Sequence, residues 1–289
     1  MISVIVATRN RADYLERALD SLRRQVDAPA FEVIVVDNGS TDATADVARR
    51  AAERLDLTYV CEPQPNRSAA RNRGIAHAQG GTVLFVDDDV WLPPRFLDAH
   101  ARAHRRGGGR VVTGPIINVP SYEHKPKPKP AHYSRAFFCT CNVSLPRPAL
   151  EAAGGFDERF DLYGWEDTEL GLRLRAAGLI RTFVWDAYVY HIKPPTVDTL
   201  HLAARRTIEK ARMAARLIET APSLRTRLAT GAYPLNLLRG RLLAPRWALP
   251  LYAGLAERGG SRTIAHLARG LLLDGLYVDE LSRALNGLR

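Results

Sequence analysis

The first half of the chain alternates short apolar runs with segments whose apolar residues recur at helical spacing. Ser3–Thr8, Phe31–Asp37, Leu57–Cys61 and Thr82–Val86 have the length and content of strands. Between them, Ala12–Gln25 carries Leu15, Leu19 and Leu22 on one helical face, and Asp42–Leu55 and Ser68–Gln79 also read as helices. Apolar strands separated by helices predict a parallel sheet with right-handed crossovers. A cap is expected within Ser40-Thr41-Asp42 for the second helix and at Ser68 for the third, which should end at Gly80-Gly81.

The pattern then loosens. Arg95–Arg106 and Thr168–Ala177 read as helices, the latter ending at Gly178. Val111–Ile117, Phe137–Leu145 and Thr182–Tyr190 read as strands, the last ending at His191. In His124-Lys125-Pro126-Lys127-Pro128-Lys129-Pro130, proline at every second place excludes helix and central strand, so an extended basic exposed loop is expected. It would serve as a lid or acceptor loop, or as plain solvated chain. From about Val197 the chain reads as helices rich in Leu, Ala and Arg, broken near Pro222, Pro234, Pro245 and Pro250. The expected division is a unit 1–195, with halves 1–90 and 91–195, followed by a helical basic segment 196–289.

Composition adds bounds. The 289 residues suffice for one large or two modest domains, and 46% hydrophobic content suffices for a real core. No apolar run approaches the roughly 18 residues of a spanning helix. Met1-Ile2-Ser3-Val4-Ile5-Val6 reads at once as a strand and not as a targeting signal, so a cytoplasmic protein is expected. Cys139 and Cys141 would share one strand face at a spacing that fits no usual zinc pattern, and the three cysteines are expected to be buried reduced thiols. The charge of +10 is concentrated: residues 200–289 hold 15 Arg/Lys and 6 Asp/Glu, or 15 − 6 = +9. That balance points to an anionic partner, and it allows peripheral attachment at the inner face of a membrane. Aromatic residues in the tail are sparse and show no stacking pattern, which argues against nucleic acid.

The candidate chemistry centres on Asp87-Asp88-Asp89, at the end of the fourth apolar run. A parallel strand delivers its carboxyl end into the ligand crevice of an open α/β sheet. Three carboxylates there need neutralising, and oxygen ligands at this density suit Mg²⁺ or Mn²⁺. A solvated acidic turn is the plainer alternative. Asp37 ends the second run beside the Asn38-Gly39 turn pair, where it can accept from a base or ribose or simply close the turn. Arg71 lies one turn inside a helix whose N-terminus attracts anions. Glu166 and Asp167 are adjacent carboxylates at a helix start, suited to a general base or to ordinary N-terminal capping.

Together these segments resemble the family 2 glycosyltransferases of the GT-A fold. The resemblance runs from Ser3 to about His191. Ser3-Val4-Ile5-Val6-Ala7-Thr8-Arg9-Asn10-Arg11, Val36-Asp37-Asn38-Gly39-Ser40-Thr41-Asp42 and Ser68-Ala69-Ala70-Arg71-Asn72-Arg73-Gly74 carry it. So do the acidic triplet, Gly154-Gly155-Phe156-Asp157 and Trp165-Glu166-Asp167, in the family's order. The resemblance implies a GT-A α/β fold followed by a helical segment. It implies an inverting transfer of a sugar from a nucleotide-diphosphate sugar, with Mn²⁺ or Mg²⁺, to a glycan, lipid-linked or small-molecule acceptor. Thr8, Arg9, Asp37, Arg71, Asp87, Asp88 and Trp165 then fall on the substrates, Asp89 and His191 on the metal, and Asp167 with Glu166 on catalysis. A binding protein that kept the fold is the alternative, disfavoured because Asp87, Asp89 and Asp167 are all intact. A nucleotidyltransferase is disfavoured because Thr8-Arg9-Asn10-Arg11 lacks glycine. The resemblance ends after His191, where the basic helices would form a packing subdomain, a dimer surface or a dock for an anionic acceptor or membrane.

Overall fold

A computed structural model of the chain describes residues 1–63, 65–105, 107–194, 199–258 and 261–287. It divides into two units, 1–161 with 166–194, and 162–165 with 195–289. The first unit runs β1 (Ile2–Thr8), α1 (Ala12–Arg23), β2 (Phe31–Asp37), α2 (Thr44–Ala52), β3 (Leu57–Cys61), α3 (Arg67–His77), β4 (Thr82–Asp87) and β5 (Val90–Trp91). It continues through α4 (Phe96–Arg105), β6 (Arg110–Thr113), β7 (Ile116–Val119), β8 (Asn142–Pro146), α5 (Arg147–Ala152), α6 (Glu166–Ala176), β9 (Ile180–Phe183) and β10 (Val189–Ile192).

Seven strands form one sheet in the order β3-β2-β1-β4-β8-β6-β9, parallel from β3 to β4 and antiparallel on either side of β8. One core lies on each face. Val4, Val6, Val33 and Val35 point to one with Leu15, Leu19 and Leu22 of α1, while Ile5, Ile34 and Phe85 point to the other with Ala70 of α3 and Leu170 of α6. This two-sided burial explains the near-continuous apolar strands. β5-β10-β7 make a second, three-stranded sheet.

Several expected elements are placed differently. Val111–Ile117 and Thr182–Tyr190 are each two strands, because the chain changes sheets within them. The kink after β6 is at Gly114, where a Cβ would lie 1.7 Å from the carbonyl oxygen of Ala187. Only β8 forms within Phe137–Leu145, so Cys139 and Cys141 lie outside any strand, in a turn closed by Asn142 N donating to Cys139 O. The three thiols are free, but Cys61 is exposed and Cys139 half-buried, leaving only Cys141 as expected. α2 begins at Thr44, with Asp42 accepting from Thr44 N just ahead of it. α3 is capped by Asn66, whose carbonyl oxygen accepts from Ser68 N and Ala69 N, while Ser68 inside the helix donates to Phe160 O. α3 ends at His77, ahead of Gly80-Gly81. Gly80 instead donates to Ser3 Oγ, where a Cβ would strike the β1 backbone.

The second unit contains α7 (Leu200–Thr220), α8 (Leu224–Ala229), α9 (Pro234–Leu243), α10 (Leu249–Arg258) and α11 (Arg262–Gly287). Ala211, Ala214, Ala215 and Ile218 of α7 pack with Leu281 of α11. Breaks fall near Pro222, Pro234 and Pro245, whereas Pro250 sits in the first turn of α10, where its missing N–H costs nothing. The expected helix end at Arg106, the tail's start at Val197 and the 195/196 division lie outside the described residues.

Candidate active site

Strand register builds the site. Thr8 is opposite Asp37 on the neighbouring strand, and Ala7 is opposite Asp87 on the other side. Three parallel strands thus end together, at the edge where open α/β sheets bind ligands. β10 completes it: His191 pairs with Val90 and Asn118, and Ile192 N donates to Asp89 O.

Asp37 closes its own turn. Its Oδ1 accepts from Ser40 N at 2.7 Å and its Oδ2 from the Tyr59 hydroxyl at 2.6 Å. Gly39 supplies the positive φ of 76° the turn requires. The turn and the strand-end position predicted for this residue therefore coexist.

Asp88 and Asp89 of the acidic triplet are held by three side chains. Thr8 Oγ1 donates to Asp88 Oδ2 at 2.8 Å. Arg11 Nη1 bridges Asp88 Oδ1 at 2.9 Å and Asp89 Oδ2 at 2.8 Å. His191 Nε2 stands 3.1 Å from Asp89 Oδ1, and its Nδ1 stands 3.1 Å from Asn118 Oδ1. Asp89 Oδ1 is buried and makes no aligned hydrogen bond. Burial pushes the Asp88 carboxyl up to about 6 despite Arg11. Burial and Asp89 raise Asp87, with Arg71 opposing. Asp89 is held below the usual range because His191 and Arg11 outweigh its burial.

A divalent cation fits this cluster. Ligand atoms of Asp87, Cys141 and His191 lie within 4.8 Å of one another, and Asp89 Oδ1 adjoins them, 3.1 Å from His191 Nε2. The Cys141 thiol is fully buried, which raises it well above its ordinary value. The carboxylate oxygens and the imidazole beside it are donors of the kind suited to Mg²⁺ or Mn²⁺.

A second cluster gathers around α6. Arg71 Nη1 donates to Glu166 Oε1 at 3.1 Å, both side chains nearly buried. Asp167 Oδ2 accepts from Thr140 N at 2.9 Å and Thr140 Oγ1 at 3.1 Å, while Oδ1 is buried without a partner. Burial pushes the Asp167 carboxyl up to about 7; Arg71 pulls it down, and Glu166 and Asp87 push it up. Helix α6 starts two residues earlier than its sequence pattern indicates, placing both carboxylates in its first turn, where the helix dipole favours negative charge. Trp165, at a φ of 74°, belongs to the second unit, where its indole N–H donates to Lys210 O.

Of the expected site residues, Thr8, Asp88, Asp89 and His191 meet in the first cluster, and Arg71, Glu166 and Asp167 in the second. Asp87 is electrostatically tied to both. Arg9 is exposed and joins neither; the cation that turns back onto the carboxylates is Arg11, at the N-cap position of α1. Arg11 was detectable only as a basic residue between a strand end and a helix start. Thr140 and Asn118 leave no signal in the sequence, since fold alone brings them in.

A family model described as glycosyl transferase family 2 matches residues 3–156, and the chain belongs to that family. A second model, described as the N-terminal domain of galactosyltransferase, matches residues 123–194. Among curated relatives, validoxylamine A glucosyltransferase of Streptomyces hygroscopicus subsp. limoneus is 33% identical over 223 residues, covering 63% of this chain and 49% of that protein. Hyaluronan synthase of Pasteurella multocida is 26% identical over 239 residues, covering 67% of this chain and 25% of that protein. The chain thus spans about half the length of the first relative and a quarter of the second. A mannosyltransferase from Pyrobaculum calidifontis, solved with GDP-Man and Mn²⁺, superimposes with a TM-score of 0.63 at 25% identity, over 99% of this chain and 86% of that one. TarS 1–349 of S. aureus, in complex with UDP-GlcNAc, has a TM-score of 0.58 at 21% identity, over 99% and 92%, and shares the fold.

Proposed function

We propose that the chain transfers a sugar from a nucleoside-diphosphate donor to an acceptor hydroxyl, with inversion and with help from a divalent cation. The observation that carries this reading is Asp167: a buried carboxylate with one oxygen fixed by Thr140 and the other unpartnered, beside the Arg71–Glu166 pair. One fixed oxygen orients the group, and one free oxygen can take a proton. A carboxyl shifted to about 7 is matched to proton abstraction near neutral pH.

The strand ends bind the donor in this account. Thr8 and Asp37, paired at the ends of adjacent strands, would meet the base and ribose. Asp89, His191 and Asp87 would hold the cation, which when bound supplies positive charge to the departing diphosphate. Arg71 keeps Glu166, Asp167 and Asp87 from repelling one another, so its role is to hold the base in place. Asp167 removes the acceptor proton as that oxygen forms its bond to the anomeric carbon. The bond from that carbon to the diphosphate oxygen breaks, and a single displacement inverts the centre. Acceptors of the glycan, lipid-linked and small-molecule kinds all fit this chemistry.

Asp167→Asn keeps the shape and removes the base. Transfer should fall by about 10²–10⁴-fold, the usual worth of a general base, while donor binding by calorimetry is unchanged. Transfer within a few-fold of wild type would place the base elsewhere, with Glu166 the next candidate.

A further inference from the structure

The helices of the second unit expose apolar side chains that no core uses. Every exposed leucine among the described residues lies between residues 224 and 267. Along α9, Leu235, Leu238 and Leu242 recur at helical spacing and point outward, while Gly240 on the opposite face packs on Val278 of α11. Trp247, 80% exposed, follows in the turn to α10, and Leu251 and Leu255, one turn apart, are exposed on α10. Singly scattered exposed leucines are ordinary, but a run of this kind marks an interaction surface.

The polar positions among them are cationic. Residues 224–269 hold eight arginines and one acid, Glu257, or 8 − 1 = +7. Among the described residues, Arg225, Arg227, Arg241 and Arg262 make no ion pair. By contrast, Arg205 and Arg212 on α7 are held by Glu209 and Glu280. A groove of about 420 Å³ between α9 and α11 adds Arg241, Arg246 and Arg283, the last two paired with Asp279, and Ser282, whose buried Oγ has no partner. Leucine and tryptophan interleaved with arginine is the composition of a helix lying in a membrane interface. No helix among the described residues is long and apolar enough to cross a membrane.

We infer that α8, α9, α10 and the start of α11 seat on an anionic bilayer surface, with the leucines and Trp247 in the acyl boundary and the arginines among the phosphates. Charge selects this occupant: two copies of a face carrying unpaired arginines would repel, whereas an anionic surface attracts it. The inference goes beyond the proposed reaction and does not depend on it.

The test uses the full chain without donor or acceptor, sedimented with vesicles of phosphatidylcholine alone or mixed with phosphatidylglycerol. The chain should bind the mixed vesicles more tightly, with a blue shift of tryptophan emission that Trp247→Phe removes. Raising salt should weaken binding without abolishing it, since apolar insertion is not screened. The triple variant Leu235→Ser, Leu242→Ser, Trp247→Ser changes only exposed positions, so its circular dichroism should match wild type, and its binding should drop by at least about tenfold. No binding to mixed vesicles at low salt would overturn the proposal, as would undiminished binding by the folded triple variant. So would a dimer in sedimentation velocity that the triple variant dissociates, since a second copy would then cover the face.

Discussion

At the scale of single residues, the carboxylates of the site are separated by environment. Asp89 is held low by His191 and Arg11, while Asp167, deeper and faced by Glu166, is raised to about 7. Acids shifted in opposite directions within one site are the usual mark of divided labour in an active site. A base acts only when deprotonated, so kcat/KM should rise with pH through a limb near 7 and level off above it. Glu166→Gln removes a like charge from Asp167 and leaves Arg71 free to stabilise the Asp167 anion. The limb should therefore move to lower pH, which a pH–rate profile of that variant checks. An unmoved limb would mean a group other than Asp167 titrates there.

At the scale of elements, the site depends on strands that change sheets. β6 passes to β7 through Gly114-Pro115, and β9 passes to β10 past Ala187. Asn142 Nδ2 ties the two crossings together by donating to Ala187 O at 2.7 Å and Pro115 O at 3.3 Å. His100 supports Asn142 from beneath, with Nε2 3.0 Å from its Oδ1. β10 carries His191, so this crossing sets one wall of the acidic cluster. Gly114→Ala forces a methyl into the Ala187 carbonyl and should cost about 3 kcal/mol or more, at the upper end for overpacking. Gly270→Ala, on an open face of α11, should stabilise by about 1 kcal/mol through helix propensity. Urea midpoints of the two variants should move in opposite directions, and equal midpoints would refute the close-approach account.

The same crossings mark where the sequence stops being legible. β1, β2 and β4 announce themselves because each is buried on both faces, and the acidic triplet because it ends one of them. β6, β7, β9 and β10 are four residues each, and a kink between two short strands has the same hydrophobic pattern as one longer strand. Caps misled for a related reason. Asn66 and Ser68 are both good caps, and only the path of the preceding loop decides between them. Arg11 was hidden because basic residues after a strand are common, and Thr140 because it reaches Asp167 from 27 positions away.

At the scale of the whole molecule, function opposes stability in a pH-dependent way. A carboxyl whose pKa is raised on folding binds its proton more tightly in the native state, so stability falls as pH rises from about 4 to the folded value. Asp167 and Asp88, at about 7 and about 6, act in this sense. His100 and His104, pushed down to about 3 and about 4 by burial, act oppositely. Their contribution is full above about 6.5 and is lost as pH falls toward the folded values. Asp167→Asn removes a destabilising charge at alkaline pH. Its melting temperature should exceed that of wild type at pH 8, with the gap closing toward pH 5. A variant less stable than wild type at pH 8 would show that the Asp167 charge is better compensated than its surroundings indicate.

The central claim is that the strand-end carboxylates act on a nucleotide sugar through a divalent cation. Its most direct test is nucleoside-diphosphate release from a panel of UDP-, GDP- and dTDP-sugars, with Mn²⁺ or with EDTA, by wild type and by Asp89→Asn. The account predicts Mn²⁺-dependent release from at least one donor by wild type. Release should drop to background in EDTA and fall by orders of magnitude in the folded Asp89→Asn variant. Release that is undiminished in EDTA, or by Asp89→Asn, would contradict it.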